Sequence, residues 1–129
     1  MGTPRLGMFV LIVEDMGRLL AFYRRLGLTF PEGSEEQTGL ALDIGGGLKM
    51  IWSTDFAALN DPGRELATGG YRMMVEFFLD GGDREVDALY ASLTEAGYEG
   101  HRAPFRSDFG AYMAMVDDPD GNTVLITAG

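Results

Sequence analysis

Leu20-Ala21-Phe22-Tyr23-Arg24-Arg25-Leu26, closed by Gly27, is answered later in the chain by Asp87-Ala88-Leu89-Tyr90-Ala91-Ser92-Leu93, closed by Gly97. Around the first copy, Met16, Leu19, Leu20, Tyr23 and Leu26 recur at three-to-four residue spacing and Asp15 stands ready to cap, so the pattern predicts a short amphipathic helix. Around the second, Val86, Leu89, Tyr90 and Leu93 do the same after Asp83. The flanks repeat as well. Before the first helix, Leu6 to Val13 reads as a strand with Met8, Val10 and Ile12 on one face and Phe9, Leu11 and Val13 on the other. After it come a short strand around Leu28 to Phe30, then Thr38 to Ile44 and Leu48 to Ser53, joined through Gly45-Gly46-Gly47. The second copy is preceded by Tyr71 to Leu79 and followed by Tyr98 to His101, Ala111 to Val116 and Thr123 to Thr127. The order is βαβββ twice. It predicts an α+β fold in one domain over 1–129, with a first module at 6–59, a second at 70–129, and an Asp-, Gly- and Pro-containing loop between. A duplication suits modules too small to complete a large core alone.

Composition fits this picture and removes several function classes. The chain of 129 residues has 46% hydrophobic and 23% charged residues, ordinary values for a globular domain, and its 19 glycines imply many tight connections. Twenty acidic against ten basic side chains give a net charge of -10, and no basic run is present to track a phosphate backbone, so nucleic acid is not an expected partner. Cysteine is absent, which removes disulfides, thiolate nucleophiles and thiolate metal ligands. The N-terminal residues lack a secretory pattern and no stretch reaches the roughly 18 apolar residues of a membrane span, so no membrane association and a cytoplasmic location are expected. Gly45-Gly46-Gly47 lacks the Gly-Lys-Ser/Thr continuation of a phosphate loop and reads as a turn. Asp117-Asp118-Pro119-Asp120-Gly121-Asn122 lacks EF-hand spacing and reads as a hairpin turn.

Val13-Glu14-Asp15, Ala21-Phe22-Tyr23-Arg24-Arg25-Leu26-Gly27-Leu28, Pro104-Phe105 and Asp117-Asp118-Pro119-Asp120-Gly121-Asn122 together resemble the glyoxalase, bleomycin-resistance and extradiol-dioxygenase superfamily, the vicinal oxygen chelate fold. The likeness covers nearly the whole chain. It implies two curved mixed sheets around a cavity, and either a metal enzyme or a metal-free binder of small molecules. Metal-dependent members place histidine in the first strand of a half and a carboxylate or histidine in its last. Those positions fall here at Met8 and Met74, and at Ile51 and Leu125. All four are apolar and make poor ligands for zinc, nickel, manganese or iron. The resemblance is therefore closer to metal-free members, with no metal and no other cofactor expected.

Candidate ligand contacts follow from strand parity and loop placement. Glu76 shares a face of its strand with Met74 and Phe78, and a carboxylate there needs a cation, a donor or a proton; Lys49 is a candidate partner. The alternative is a solvated rim charge. Phe105, Phe109 and Tyr112 lie in or beside the loop Pro104 to Gly110, where a cavity mouth would carry recognition contacts, and with Phe78 they offer surfaces for a flat ligand. Trp52 reads as core, or as a contact at a cavity mouth. His101, the single histidine, has no serine or cysteine partner and reads as an edge-strand residue, while Arg102 and Arg106 balance neighbouring acids or meet an anion.

The function expected from these residues is a metal-free small-molecule binding protein that sequesters an aromatic or cationic compound, such as an antibiotic, through Glu76, Phe78, Phe105, Phe109, Tyr112 and Trp52. No catalytic residue is assigned, and a non-enzymatic role is favoured over an enzymatic one. The alternatives are a glyoxalase-like metal-dependent lyase or isomerase, and a structural homodimer scaffold. Superfamily members often complete their cavities across a twofold axis, so a homodimer is expected.

Overall fold

The computed structural model describes residues 2–63 and 65–128. The described chain is α+β with two mixed sheets, and it falls into two compact units: residues up to Leu20 with Phe30–Glu65, and Ala21–Thr29 with the chain from Leu66 onward. Helix α1, Met16–Leu26, is divided between them.

In the first unit a three-stranded sheet has the order β1-β3-β2, formed by β1 (Met8–Ile12), β2 (Gly39–Gly45) and β3 (Leu48–Ser53). β1 runs parallel to β3, and β2 returns antiparallel through the glycine turn that sequence predicts. Leu11, Met50 and Trp52 are buried on one face, whereas Met8 and Val10 are exposed on the other. Trp52 is fully enclosed, with the Phe30 ring edge-on at 5.6 Å. The expected strand at Leu28–Phe30 does not form. Only three residues separate Gly27, which leaves α1 at φ 125°, from Pro31, which has no N–H for a ladder. A five-residue helix, α2 (Phe56–Asn60), follows β3, and Ser53 Oγ accepts from the Phe56 amide at 3.0 Å. At little more than one turn it shows no periodicity in sequence.

The second unit holds a four-stranded sheet in the order β4-β7-β6-β5, from β4 (Met74–Phe78), β5 (Gly100–Arg106), β6 (Tyr112–Asp117) and β7 (Thr123–Thr127). β4 and β7 are parallel; the other pairs are antiparallel. Helix α3 (Asp83–Glu95) covers one face, packing on β5, β6 and β7. All five residues of β7 are buried, as its central position requires. β5 extends through Pro104 and Phe105, correcting the expected loop from Pro104. Proline fits there because β5 is an edge strand whose register shifts on either side of Arg102. Gly100 is needed where β5 passes under α3, since a Cβ at that position would collide with the Tyr90 hydroxyl and the Thr94 methyl.

α1 contributes Phe22 and Tyr23 to this unit. Both are fully buried, and Phe22 lies edge-on to Tyr98 at 4.9 Å. The Tyr23 hydroxyl donates to Asp118 Oδ2 at 2.8 Å, and the same carboxylate accepts from the amides of Asp120 and Asn122, both at 2.9 Å. The aspartate-rich turn is thus a structural knot between β6 and β7, as its sequence suggests.

Candidate functional site

The register of the four strands places every side chain of the face away from α3. Asp117 stands opposite Thr123, Met115 opposite Leu125 and Met113 opposite Thr127, while Met74, Glu76 and Phe78 flank Thr123, Leu125 and Thr127 from β4. On the far edge, Phe105 pairs with Met113, and Arg102 pairs with Met115. Three rows therefore cross the sheet. One runs Met74, Thr123, Asp117; the next Glu76, Leu125, Met115, Arg102; the third Phe78, Thr127, Met113, Phe105. Met113, Met115 and Leu125 are the apolar members of the two central strands, beside Thr123, Thr127 and Asp117, while the edge strands carry Glu76 and Arg102 among Met74, Phe78 and Phe105.

Glu76 is exposed, and its Oε2 accepts from the Thr127 hydroxyl at 2.9 Å. Thr127 is only 3% exposed, so the donor is fixed by the core and orients the carboxylate. The expected face shared by Met74, Glu76 and Phe78 is present, and the partner found for Glu76 is this threonine. Phe78 is 68% exposed beside it.

Phe105 is half-buried, with the Arg102 guanidinium carbon 3.6 Å above the ring centre. That stacking occupies the arginine and one side of the ring. Phe109, 76% exposed, tips the turn between β5 and β6, which Ser107 closes by accepting from the Ala111 amide at 2.9 Å. From β4 to β5 are three strand steps, about 14 Å. Glu76 and Phe78 thus sit at one edge, Phe105 at the other, and a single ring does not touch both.

Two expected contacts lie elsewhere. Tyr112 points to the α3 face: its hydroxyl donates to Asp87 Oδ1 at 2.6 Å, and Arg106 lies 5.0 Å over its ring. The hydrogen bond to Asp87, with lesser effects of burial and the Asp87 and Asp83 charges, raises the Tyr112 pKa above 10, opposed weakly by Arg106. Trp52 is enclosed in the first unit and offers no accessible surface. Arg106 meets Asp83 at 2.5 Å, the acid-balancing role considered for it.

The residues that sequence reasoning did not single out are Thr127, Thr123 and Asp117. Strand parity places Thr123 and Thr127 on one face of β7, but their neighbours depend on register. His101 is on the edge strand, as expected, and its Nδ1 lies 3.5 Å from Asp117 Oδ1. Among the described residues no group of three or more His, Asp or Glu side chains is placed to hold a metal. Met74 and Leu125, at the superfamily's ligand positions in this unit, have no donor suited to a hard divalent ion, so these residues do not fit a metal centre. No helix among the described residues is long and apolar enough to cross a membrane.

A family model described as the glyoxalase/bleomycin resistance protein/dioxygenase superfamily matches residues 5–126. Similar solved structures include hypothetical protein SA1046 from S. aureus, 26% identical over 99% of this chain and 96% of that one, with a TM-score of 0.78. A family enzyme of that description from Burkholderia phytofirmans PsJN is 23% identical over 97% and 98% of the two chains, with a TM-score of 0.77. A lactoylglutathione lyase from Agrobacterium tumefaciens is 19% identical over 99% and 96%, with a TM-score of 0.64. No curated protein matches the chain.

Proposed function

The chain belongs to the glyoxalase/bleomycin resistance protein/dioxygenase superfamily, and from that premise we propose that it is a metal-free small-molecule binding protein whose ligand lies at the β4 edge of the sheet face away from α3. The observation that carries the proposal is a single oriented carboxylate, Glu76 on Thr127, between the exposed side chains of Met74 and Phe78 on the same face of β4. Such a face gains from covering apolar area and from pairing one positive charge. Phe78 supplies a stacking surface beside Glu76, and Phe105 and Phe109 belong to the opposite edge. The ligand is an organic compound with a flat portion and a cationic group. A short one uses the Glu76 edge alone, and one reaching Phe105 spans about 14 Å.

The action is stoichiometric sequestration. The net charge of -10 raises the local concentration of a cation, and Glu76 then fixes its orientation while Met74 and Phe78 supply apolar contact. We place the protein in the cytoplasm as a homodimer, the commonest isologous arrangement.

Native mass spectrometry after mild purification, followed by titration of any retained compound, tests the proposal. Glu76→Gln keeps the side-chain length and removes the charge, so it should weaken a cationic ligand about five- to tenfold while changing a neutral analogue far less. Equal binding of a small dianion by both proteins would defeat the ligand assignment. A stoichiometric transition metal in freshly purified, tag-free protein would overturn the metal-free assignment in favour of a lyase or isomerase.

A further inference from the structure

At the end of the same face, away from Phe78, a pocket of about 300 Å³ is lined by Gly69, Gly70, Tyr71, His101, Asp117, Gly121 and Thr123. Its volume is at the lower end for small-molecule sites, about right for one ring or two fused rings. The Tyr71 ring lies beside the His101 imidazole, with centroids 5.7 Å apart and planes 34° apart, so two flat groups form one wall. Asp117 and Thr123, directly opposed on β6 and β7, supply the other wall.

Asp117 Oδ1 is shared by His101 Nδ1 at 3.5 Å and Thr123 Oγ1 at 3.5 Å. Its Oδ2 has no hydrogen-bond partner among the described residues, although Asp117 lines the pocket. A half-buried carboxylate with an unused acceptor selects for N–H donors and against anions. No lysine or arginine lines the pocket, and Arg72, beside Gly121, donates a guanidinium N–H to the Asp120 carbonyl. His101 and Asp117 alone are too few donors for a structural metal. Gly69 and Gly70 line the pocket at φ 74° and 61°, and a Cβ at either would meet nothing within 4 Å, so the glycines are set by backbone conformation.

We propose that this pocket binds a small planar group bearing N–H donors, of the aryl amidine or amino-heteroaromatic class, with its ring against Tyr71 and His101 and its N–H groups on Asp117. The assignment is independent of ligand binding at Glu76. Benzamidine is the probe, with benzoate as a flat anion of similar size, followed by backbone amide NMR of the full chain. Benzamidine should shift the amides of Gly69, Gly70 and Gly121, and its affinity should fall about tenfold or more in Asp117→Asn. The exposed ring makes Tyr71→Ala a second variant without a folding risk, expected to weaken binding about threefold or more. The titration is read at the Gly69 and Gly70 amides, so that any occupancy of the Glu76 edge by the same flat cation is counted separately, and benzoate should leave these glycines unshifted. Shifts confined to Glu76 and Phe78, no saturable shift, or an unchanged affinity in Tyr71→Ala overturns the site. If Asp117→Asn alters the spectrum without ligand, the Tyr71→Ala result decides.

Discussion

Replacing Tyr23 by Phe isolates one bond at the centre of the second unit. Asp118 is 4% exposed, and its carboxylate accepts four hydrogen bonds: from Tyr23 Oη at 2.8 Å, Asn122 Nδ2 at 3.1 Å, and the amides of Asp120 and Asn122. The substitution keeps the ring, including its edge-on contact with Phe22 at 5.0 Å, and removes only the hydroxyl. Asp118 Oδ2 then retains Asn122 Nδ2 but loses a charge-assisted donor in a site nearly closed to water. A hydrogen bond to a charged group is worth about 1.5–3 kcal/mol, so stability should fall by that amount. For a chain of this size the melting temperature should drop roughly 5–10 °C. Urea unfolding followed by far-UV circular dichroism measures the loss, and the slope should not change, since the native surface is the same. A double-mutant cycle with Asp118→Asn should give a coupling of about 1–3 kcal/mol. A loss below about 0.5 kcal/mol would refute the reasoning, because it would mean that the hydroxyl contributes no more than a surface substitution.

Trp52→Ala, by emptying a fully enclosed site beside Phe30, should cost about 3–5 kcal/mol in thermal or denaturant unfolding; a cost under about 1 kcal/mol would contradict its place in the core. The Tyr112 pKa is raised, chiefly by its hydrogen bond to Asp87, so the folded state favours the neutral phenol. The stabilisation is fully present below the unfolded value of about 10 and is lost as pH rises through the higher folded value. Absorbance titration should show one late tyrosine that disappears in Tyr112→Phe, and an unaltered titration would count against the Asp87 bond. In sedimentation at low micromolar concentration the protein should run at twice the 14.0 kDa chain mass, and a monomer throughout would exclude the homodimer.

Much of the fold is legible in the residues alone. Period-two alternation and the bounding glycines locate Leu48–Ser53 and Thr123–Thr127 to the residue, and helical spacing picks out Met16, Leu19, Leu20, Tyr23 and Leu26, all buried. Parity along one strand also puts Glu76 with Phe78. What it does not contain is the neighbour across the ladder. Thr127 reaches Glu76 because β4 and β7 pair in one particular register, although 51 positions separate the two residues. Tyr112 faces α3 rather than the opposite face because β6 starts on that parity, and the register shifts in β5 bring Arg102 beside Met115 after Gly100 has passed under the helix. A slip of one residue in any pair would reverse these assignments without altering the hydrophobic pattern of either strand. Sequence by itself therefore determined the two long helices and most of the strands, because those depend on local periodicity, but not the one-turn α2, the absence of a strand at Leu28–Phe30 or the extension of β5 through Phe105. Tertiary structure decided which side chains meet, because that depends on pairing between segments far apart in the chain.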